Sequence, residues 1–171
     1  PVALNYRETA PSVVSELFYL DHNSRIGPDA VGVPGTVAGL LEAHAKYGSL
    51  PLSQVMAPAI EIAQVGFFPD DAYRNGVQNA IRAFKDAPHL LKQTAHAMQR
   101  FASNEKHILS GQALVLEAIA RHGISAFYTG DVARAIVACT HNHITLEDLI
   151  RYKPRWEEPL IVDVDNGITI V

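Results

Sequence analysis

G-V-P-G-T-V-A-G-L-L-E-A-H-A-K-Y-G, Gly32 to Gly48, sets the period on which the rest of the chain is read. After Pro34-Gly35, apolar residues at 37, 40, 41 and 45 fall on one face of a 3.6-residue helix. Thr36 is the expected N-cap and Gly48 the expected left-handed terminator. Downstream, Pro51-Leu52-Ser53 opens a second helix with Ser53 as its cap. Pro58 lies inside that pattern, so either two short helices abut or one is kinked, and Gly66 ends it. Asp70 and Asp71 lead a third helical pattern, and a fourth runs from Pro88 to about Phe101.

The clearest helix spans Gln112 to Arg121 and closes on His122-Gly123. Another covers Asp131 to Cys139, with Asp131 at the positive end of the helix dipole. Thr145-Leu146-Glu147-Asp148 has the spacing of a capping box, so a helix of one to two turns starts there and stops before Lys153-Pro154. The period then changes to two. Leu160 to Val164 and Ile168 to Val171 flank Asp165-Asn166-Gly167, and Asn-Gly is a strong hairpin signal. The fold expected is therefore α+β, a helical body over 1–153 followed by the start of strands over 159–171. His22 to Val33, with Asn23, Gly27, Pro28 and Gly32, reads as a surface loop. The missing initiator methionine and a last residue inside a hairpin arm lead us to expect a section of something longer.

Composition excludes several function classes. With 48% apolar and 19% charged residues the chain is that of a globular protein rather than a disordered one. Its longest apolar runs, such as Ala113 to Ala120, are far short of the roughly 20 residues that span a bilayer. Net charge is −4 and the 14 Lys and Arg residues are scattered, so no basic stripe for nucleic acid is expected. Cys139, the one cysteine, lies in an apolar helical run and reads as a buried small hydrophobe; it cannot close an internal disulfide.

Chemistry-bearing clusters are few. His141 and His143 form an H-x-H, but no third ligand at zinc spacing accompanies them, and a solvated loop is the expectation. His44, His96 and His122 sit at helix positions where a surface or edge histidine is usual. No G-x-S-x-G elbow, Walker spacing or dinucleotide fingerprint occurs, and Gly35 reads as serving a tight turn. Trp156 reads as a packing anchor. Arg7, in N-Y-R-E-T-A-P, leaves two readings open. It is a surface ion pair worth ~0 to 1 kcal/mol, or a planar fork held to grip a carboxylate through two parallel hydrogen bonds.

N-Y-R-E-T-A-P (Asn5 to Pro11) resembles the D-F-R-E-x-A-P segment of the γ-glutamyltranspeptidases. Further segments agree in order and spacing: Gly32 to Gly48; P-A-I-E-I-A-Q-V-G-F at 58 to 67; A-F-Y-T-G at 126 to 130; and I-T-L-E-D-L-I-R-Y-K-P-R-W-E-E-P-L at 144 to 160. Together they extend over the whole chain. The resemblance implies an N-terminal nucleophile hydrolase with an αββα core, made as one precursor that cuts itself into a large and a small subunit. Residues 1–171 then form a single section of the large subunit, and the small subunit is its partner. The catalytic threonine belongs to that small subunit, so no catalytic residue is expected in this chain.

Carried over by position, the substrate contact implied here is Arg7, which grips the α-carboxylate of a γ-glutamyl donor such as glutathione. Glu8 is expected to orient the guanidinium. Asn5 stands where the motif has an acid, and Tyr6 where it has phenylalanine, which leaves the acyl preference open. Relatives of the same architecture act on glutaryl cephalosporins or on poly-γ-glutamate, and a non-catalytic scaffold piece is the reading from another class. No metal or organic cofactor follows, and the resemblance implies a periplasmic or extracellular location.

Overall fold

The computed structural model describes residues 2–21, 27–83, 98, 100–164 and 168–170. Among these the elements run β1 (Ala3–Asn5), α1 (Phe18–Asp21), a 3-10 turn (Pro28–Ala30), α2 (Thr36–Tyr47), α3 (Leu52–Val65) and α4 (Asp71–Ala83). They continue with α5 (Ser110–His122), α6 (Ile124–Tyr128), α7 (Asp131–Cys139), α8 (Leu146–Arg151), β2 (Arg155–Glu157), β3 (Val162–Val164) and β4 (Ile168–Ile170). β1 pairs antiparallel with β2, Leu4 opposite Trp156, and β3 with β4, Asp163 opposite Thr169. The architecture is α+β and mostly helical. No helix among the described residues is long and apolar enough to cross a membrane.

One core cluster organises the region around β1. Val33, Ala38, Tyr128, Ala133, Ile144, Leu149 and Tyr152 are buried together, with Val37, Phe127, Ile136 and Val137 packed against them. Ile144 and Leu149 are wholly buried, each worth about 1.5 to 3 kcal/mol of transfer free energy. They reach this core because the capping box forms: the Thr145 hydroxyl accepts from the Asp148 amide at 3.1 Å, and the Asp148 carboxylate accepts from the Thr145 amide at 2.9 Å. α8 therefore starts sharply at Leu146. A second contact region joins α3 to α5, where Ala63, Ala113 and Ile119 are buried and the Leu109 amide donates to Ala63 O at 2.9 Å.

Several local expectations need correction. Thr36 is the first residue of α2, and the cap position belongs to Gly35, which has no side chain to cap with. The orphan amide of Ala38 instead donates to the hydroxyl of Tyr128, 90 residues away, at 3.2 Å, so a distant side chain caps this helix. Gly48 is extended (φ −67°, ψ 131°) rather than left-handed. Its side chain is missing for space, since a Cβ there would lie 2.5 Å from His44 O. Ser53 is inside α3, Pro51 holds the cap position, and its carbonyl accepts from Gln54 and Val55. Pro58 sits within a single helix, Leu52–Val65. The left-handed Gly66 (φ 87°) ends it as expected.

Cys139 is exposed, not buried. Ala133, Ile136, Val137 and Thr140 take the core-facing stripe of α7 at i, i+3, i+4 and i+7, and residue 139 falls off it. His143 is buried rather than solvated, its ring 5.4 Å from that of Phe18, because left-handed His141 and Asn142 turn the chain inward after α7. Val33, placed in a surface loop by sequence, is 1% exposed and forms an antiparallel bridge with Thr9. The body expected to be helical also supplies strand β1. Trp156 does anchor packing: its indole N–H donates to Glu42 at 3.0 Å, and Lys46 Nζ sits 3.8 Å from its ring centroid. The fourth helical pattern, His96 and the Asp165-Asn166-Gly167 turn lie wholly or mostly outside the described residues.

His107 is the least conventional member of the interior. It is 1% exposed and ringed by Phe67, Tyr73 and Phe101 at 5.6 to 5.8 Å between centroids, and neither ring nitrogen has a hydrogen-bond partner among the described residues. Only its backbone is tied, by a pair of bonds with Phe67 at 2.8 and 3.1 Å. Unpaired buried polar atoms cost free energy, so His107→Leu is expected to leave unfolding stability unchanged or raise it by about 1 kcal/mol. A loss above about 2 kcal/mol in denaturant titration would show the imidazole to be bonded.

Candidate functional site

Arg7 follows β1, and its backbone is fastened on every side. β1 pairs with β2 up to Asn5, whose side-chain oxygen accepts from the Arg7 amide at 3.2 Å. The carbonyl of Arg7 accepts from the Tyr152 hydroxyl at 2.9 Å. Two residues on, Thr9 exchanges two backbone bonds with Val33, at 2.8 and 3.3 Å. Beyond that, the Ser12 amide donates to Asp148 at 2.9 Å. Arg7 is thus a firmly seated residue with an exposed side chain, 81% exposed and paired with Glu8 at 2.9 Å.

Asn5 occupies the position where the resembled motif has an acid. Its amide serves both ends, accepting from the Arg7 backbone and donating to Glu157 at 3.1 Å. A carboxylate at residue 5 would face that of Glu157. Tyr6 lies over α2, close enough to Gly39 that a Cβ there would come within 2.2 Å of the tyrosine ring. These two departures therefore fit their neighbours.

Two clefts meet at Arg7. One, of about 540 Å³, is lined by Asn5, Arg7, Glu8, Asp148, Arg151 and Arg155 among others; the other, of about 460 Å³, by Leu4, Tyr6, Glu8 and Thr36 with Asn5 and Arg7. Arg151 and Arg155 are neutralised locally by Glu147 at 2.6 Å and Glu157 at 3.4 Å. Arg7 is paired in the same way, with its sequence neighbour Glu8 at 2.9 Å. The Glu8 carboxyl is held below its ordinary range by its own backbone amide and by the Arg7 guanidinium. The carboxylate leaves most of the guanidinium fork open to an incoming anion.

Behind the clefts the tyrosines are held as neutral hydroxyls. Burial pushes Tyr128 up to about 12 and raises Tyr152 as well. Tyr128 donates to Pro34 O at 2.8 Å while accepting from Ala38, and its ring stacks on Tyr152 at 5.9 Å with an 11° interplanar angle. Asp148 is partly desolvated, which raises its pKa. Hydrogen bonds from Thr145 and Ser12 outweigh that, and the net shift is downward. A carboxyl lowered on folding stabilises above its unfolded value, about 3.9, and that share is lost as pH falls through the folded value. Asp148→Asn is therefore expected to flatten the fall of thermal stability below about pH 4; an unchanged slope would contradict the assignment.

Sequence reasoning named Arg7 and Glu8, and the structure brings them together. It missed Tyr152 and Tyr128 and read Gly35 as serving a tight turn, whereas the work of all three depends on contacts across the chain. His141 and His143 do not share a face: His141 is exposed in the left-handed turn and His143 is buried.

Comparisons with known proteins bear on the family and the fold. A family model described as gamma-glutamyltranspeptidase matches residues 1–171. The glutathione hydrolase proenzyme of Pseudomonas aeruginosa is 38% identical over 173 residues, covering 95% of this chain and 30% of that protein. The capsule biosynthesis protein CapD proenzyme of Bacillus anthracis is 33% identical over 158 residues, covering 92% of this chain and 27% of that protein. Among solved structures, the gamma-glutamyltranspeptidase from Pseudomonas nitroreducens complexed with L-DON is 33% identical, with a TM-score of 0.86 over 99% of this chain and 52% of that one. The chain thus spans about 30% of the length of these curated relatives and about half of the solved chain. Matched along its whole length in sequence and nearly so in three dimensions, the chain belongs to the γ-glutamyltranspeptidase family.

Proposed function

We propose that the protein to which this chain contributes is an enzyme that hydrolyses or transfers γ-glutamyl groups, glutathione being the expected donor, and that Arg7 holds the donor's α-carboxylate. The observation that carries this reading is the contrast at Arg7 between a backbone tied by Asn5 and Tyr152 and a guanidinium 81% exposed at the meeting of two clefts. A structural arginine would bury its stem or complete an ion network. This one presents a fork that fits a carboxylate bidentately.

In this reading residues 1–171 are one section of a large subunit. The small subunit of the same precursor supplies the nucleophilic threonine at its new N-terminus, where the free α-amine serves as base. Threonine Oγ attacks the γ-carbonyl carbon, the bond to the leaving amine breaks as that amine takes up the proton, and a γ-glutamyl ester remains. Water or an amino acid's amine then displaces the threonine. Arg7 contributes position: with the α-carboxylate anchored, the γ-carbonyl stands at a fixed reach from the nucleophile. A location outside the cytoplasm belongs to the same proposal.

In keeping with the likeness to a capsule biosynthesis protein, a second reading takes a γ-linked glutamate polymer as the donor. It uses the same carboxylate contact. The test is nitroaniline release from γ-glutamyl and glutaryl p-nitroanilides by the full-length, processed protein. Turnover of the γ-glutamyl compound is expected. Preference for the glutaryl compound would transfer the protein to acylase chemistry, and no turnover of either would favour a non-catalytic scaffold.

A further inference from the structure

We propose that Tyr152 is a positioning residue for donor binding, its hydroxyl setting where the Arg7 guanidinium stands. The inference rests on the reading of Arg7 as the carboxylate contact and adds the element that makes its position definite. Tyr152 is 8% exposed and its O–H donates to the Arg7 carbonyl at 2.9 Å, across 145 residues of sequence.

The tyrosine is itself wedged. Its hydroxyl occupies the space that a side chain at residue 35 would take: a Cβ on Gly35 would lie 2.0 Å from Tyr152 Oη and 2.2 Å from Tyr6 O. On its other side the ring stacks on Tyr128, which is bonded to both Pro34 and Ala38 at the start of α2. The hydroxyl therefore has little room to move, and it transmits that restriction to the one carbonyl adjoining the Arg7 side chain. Among the described residues the exposed guanidinium is held by Glu8 alone and has no comparable restraint of its own. Small displacements of a substrate-positioning group are costly, so a backbone bond of this kind is felt in binding.

Phenylalanine would keep the ring packing and remove only the polar tip. In the full-length processed enzyme, Tyr152→Phe is expected to raise KM for γ-glutamyl p-nitroanilide about three- to tenfold, with kcat nearly unchanged. Two readouts separate positioning through Arg7 from general loosening. KM for γ-aminobutyryl p-nitroanilide, which lacks the carboxylate, is expected to change by less than about twofold, and Tyr152→Phe added to Arg7→Ala is expected to have no further effect on the γ-glutamyl KM. Equal effects on both substrates, or an undiminished effect in the Arg7→Ala background, would overturn the proposal. So would an unchanged KM in Tyr152→Phe alongside a raised KM in Arg7→Ala. An Arg7→Ala enzyme with unaltered KM would instead remove the carboxylate contact itself.

Discussion

Arg7→Ala in the full-length processed enzyme is expected to lower kcat/KM for γ-glutamyl substrates by roughly thirty- to seven-hundredfold, corresponding to about 2 to 4 kcal/mol. The size follows from what is removed: in the proposed reading, a charge-assisted fork that binds a carboxylate bidentately. The loss is expected to appear mainly in KM, because the α-carboxylate takes no part in bond breaking and its contact is made equally before and during reaction. Folding is expected to be nearly indifferent. The ion pair with Glu8 is exposed, and such pairs contribute about 0 to 1 kcal/mol. Arg7→Lys retains the charge but not the fork, and is expected to recover only part of the affinity. Steady-state kinetics with thermal unfolding of the same preparations checks both statements. A large loss of stability with little change in KM would make Arg7 structural.

Gly35→Ala is expected to produce the largest loss of stability among single substitutions near the site, about 3 kcal/mol. Gly35 has φ −112° and ψ −16°, a conformation open to any residue, so the requirement comes from proximity. A Cβ would overlap Tyr152 Oη at 2.0 Å, Tyr152 Cζ at 2.5 Å and the Tyr6 carbonyl at 2.2 Å. The last of these is backbone and cannot rotate aside. Relief requires moving Tyr152 out of the core, breaking its bond to Arg7, or lifting the 5–7 segment off α2. The alanine variant is therefore expected to lose γ-glutamyl affinity together with stability. Gly76→Ala in α4 serves as the control. Its Cβ meets nothing among the described residues, and the change is expected to stabilise by about 0.5 to 1 kcal/mol through helix propensity. Chemical unfolding of the two variants reads the difference, and equal stability would contradict the packing described.

The contrast between those glycines indicates how much the sequence discloses. α7 appears at the limits its pattern predicts, α5 begins two residues earlier and ends at the expected Gly123 stop, and the Thr145 box forms as read, because each depends on residues within one or two turns. The β1–β2 pair was not legible. Three-residue strands carry too little alternation to register, and their pairing joins residues 3–5 to 155–157. The cap of α2 was misassigned to Thr36 for a related reason: the hydroxyl that satisfies Ala38 arrives from Tyr128, and no local pattern announces it. At the candidate site, Arg7 and Glu8 could be named from a short motif. Tyr152 could not, since its role is set by a bond spanning 145 residues; the sequence showed it as one residue of the 144–160 segment, just before the Lys153-Pro154 helix stop.

The most direct test of Arg7 as the carboxylate contact is the ratio of kcat/KM for γ-glutamyl over γ-aminobutyryl p-nitroanilide, measured for the full-length processed enzyme and for Arg7→Ala. The two substrates differ only in the α-carboxylate, so general damage cancels in the ratio. The ratio is expected to fall by roughly thirtyfold or more in the variant. An unchanged ratio, whatever happens to total activity, would contradict the assignment.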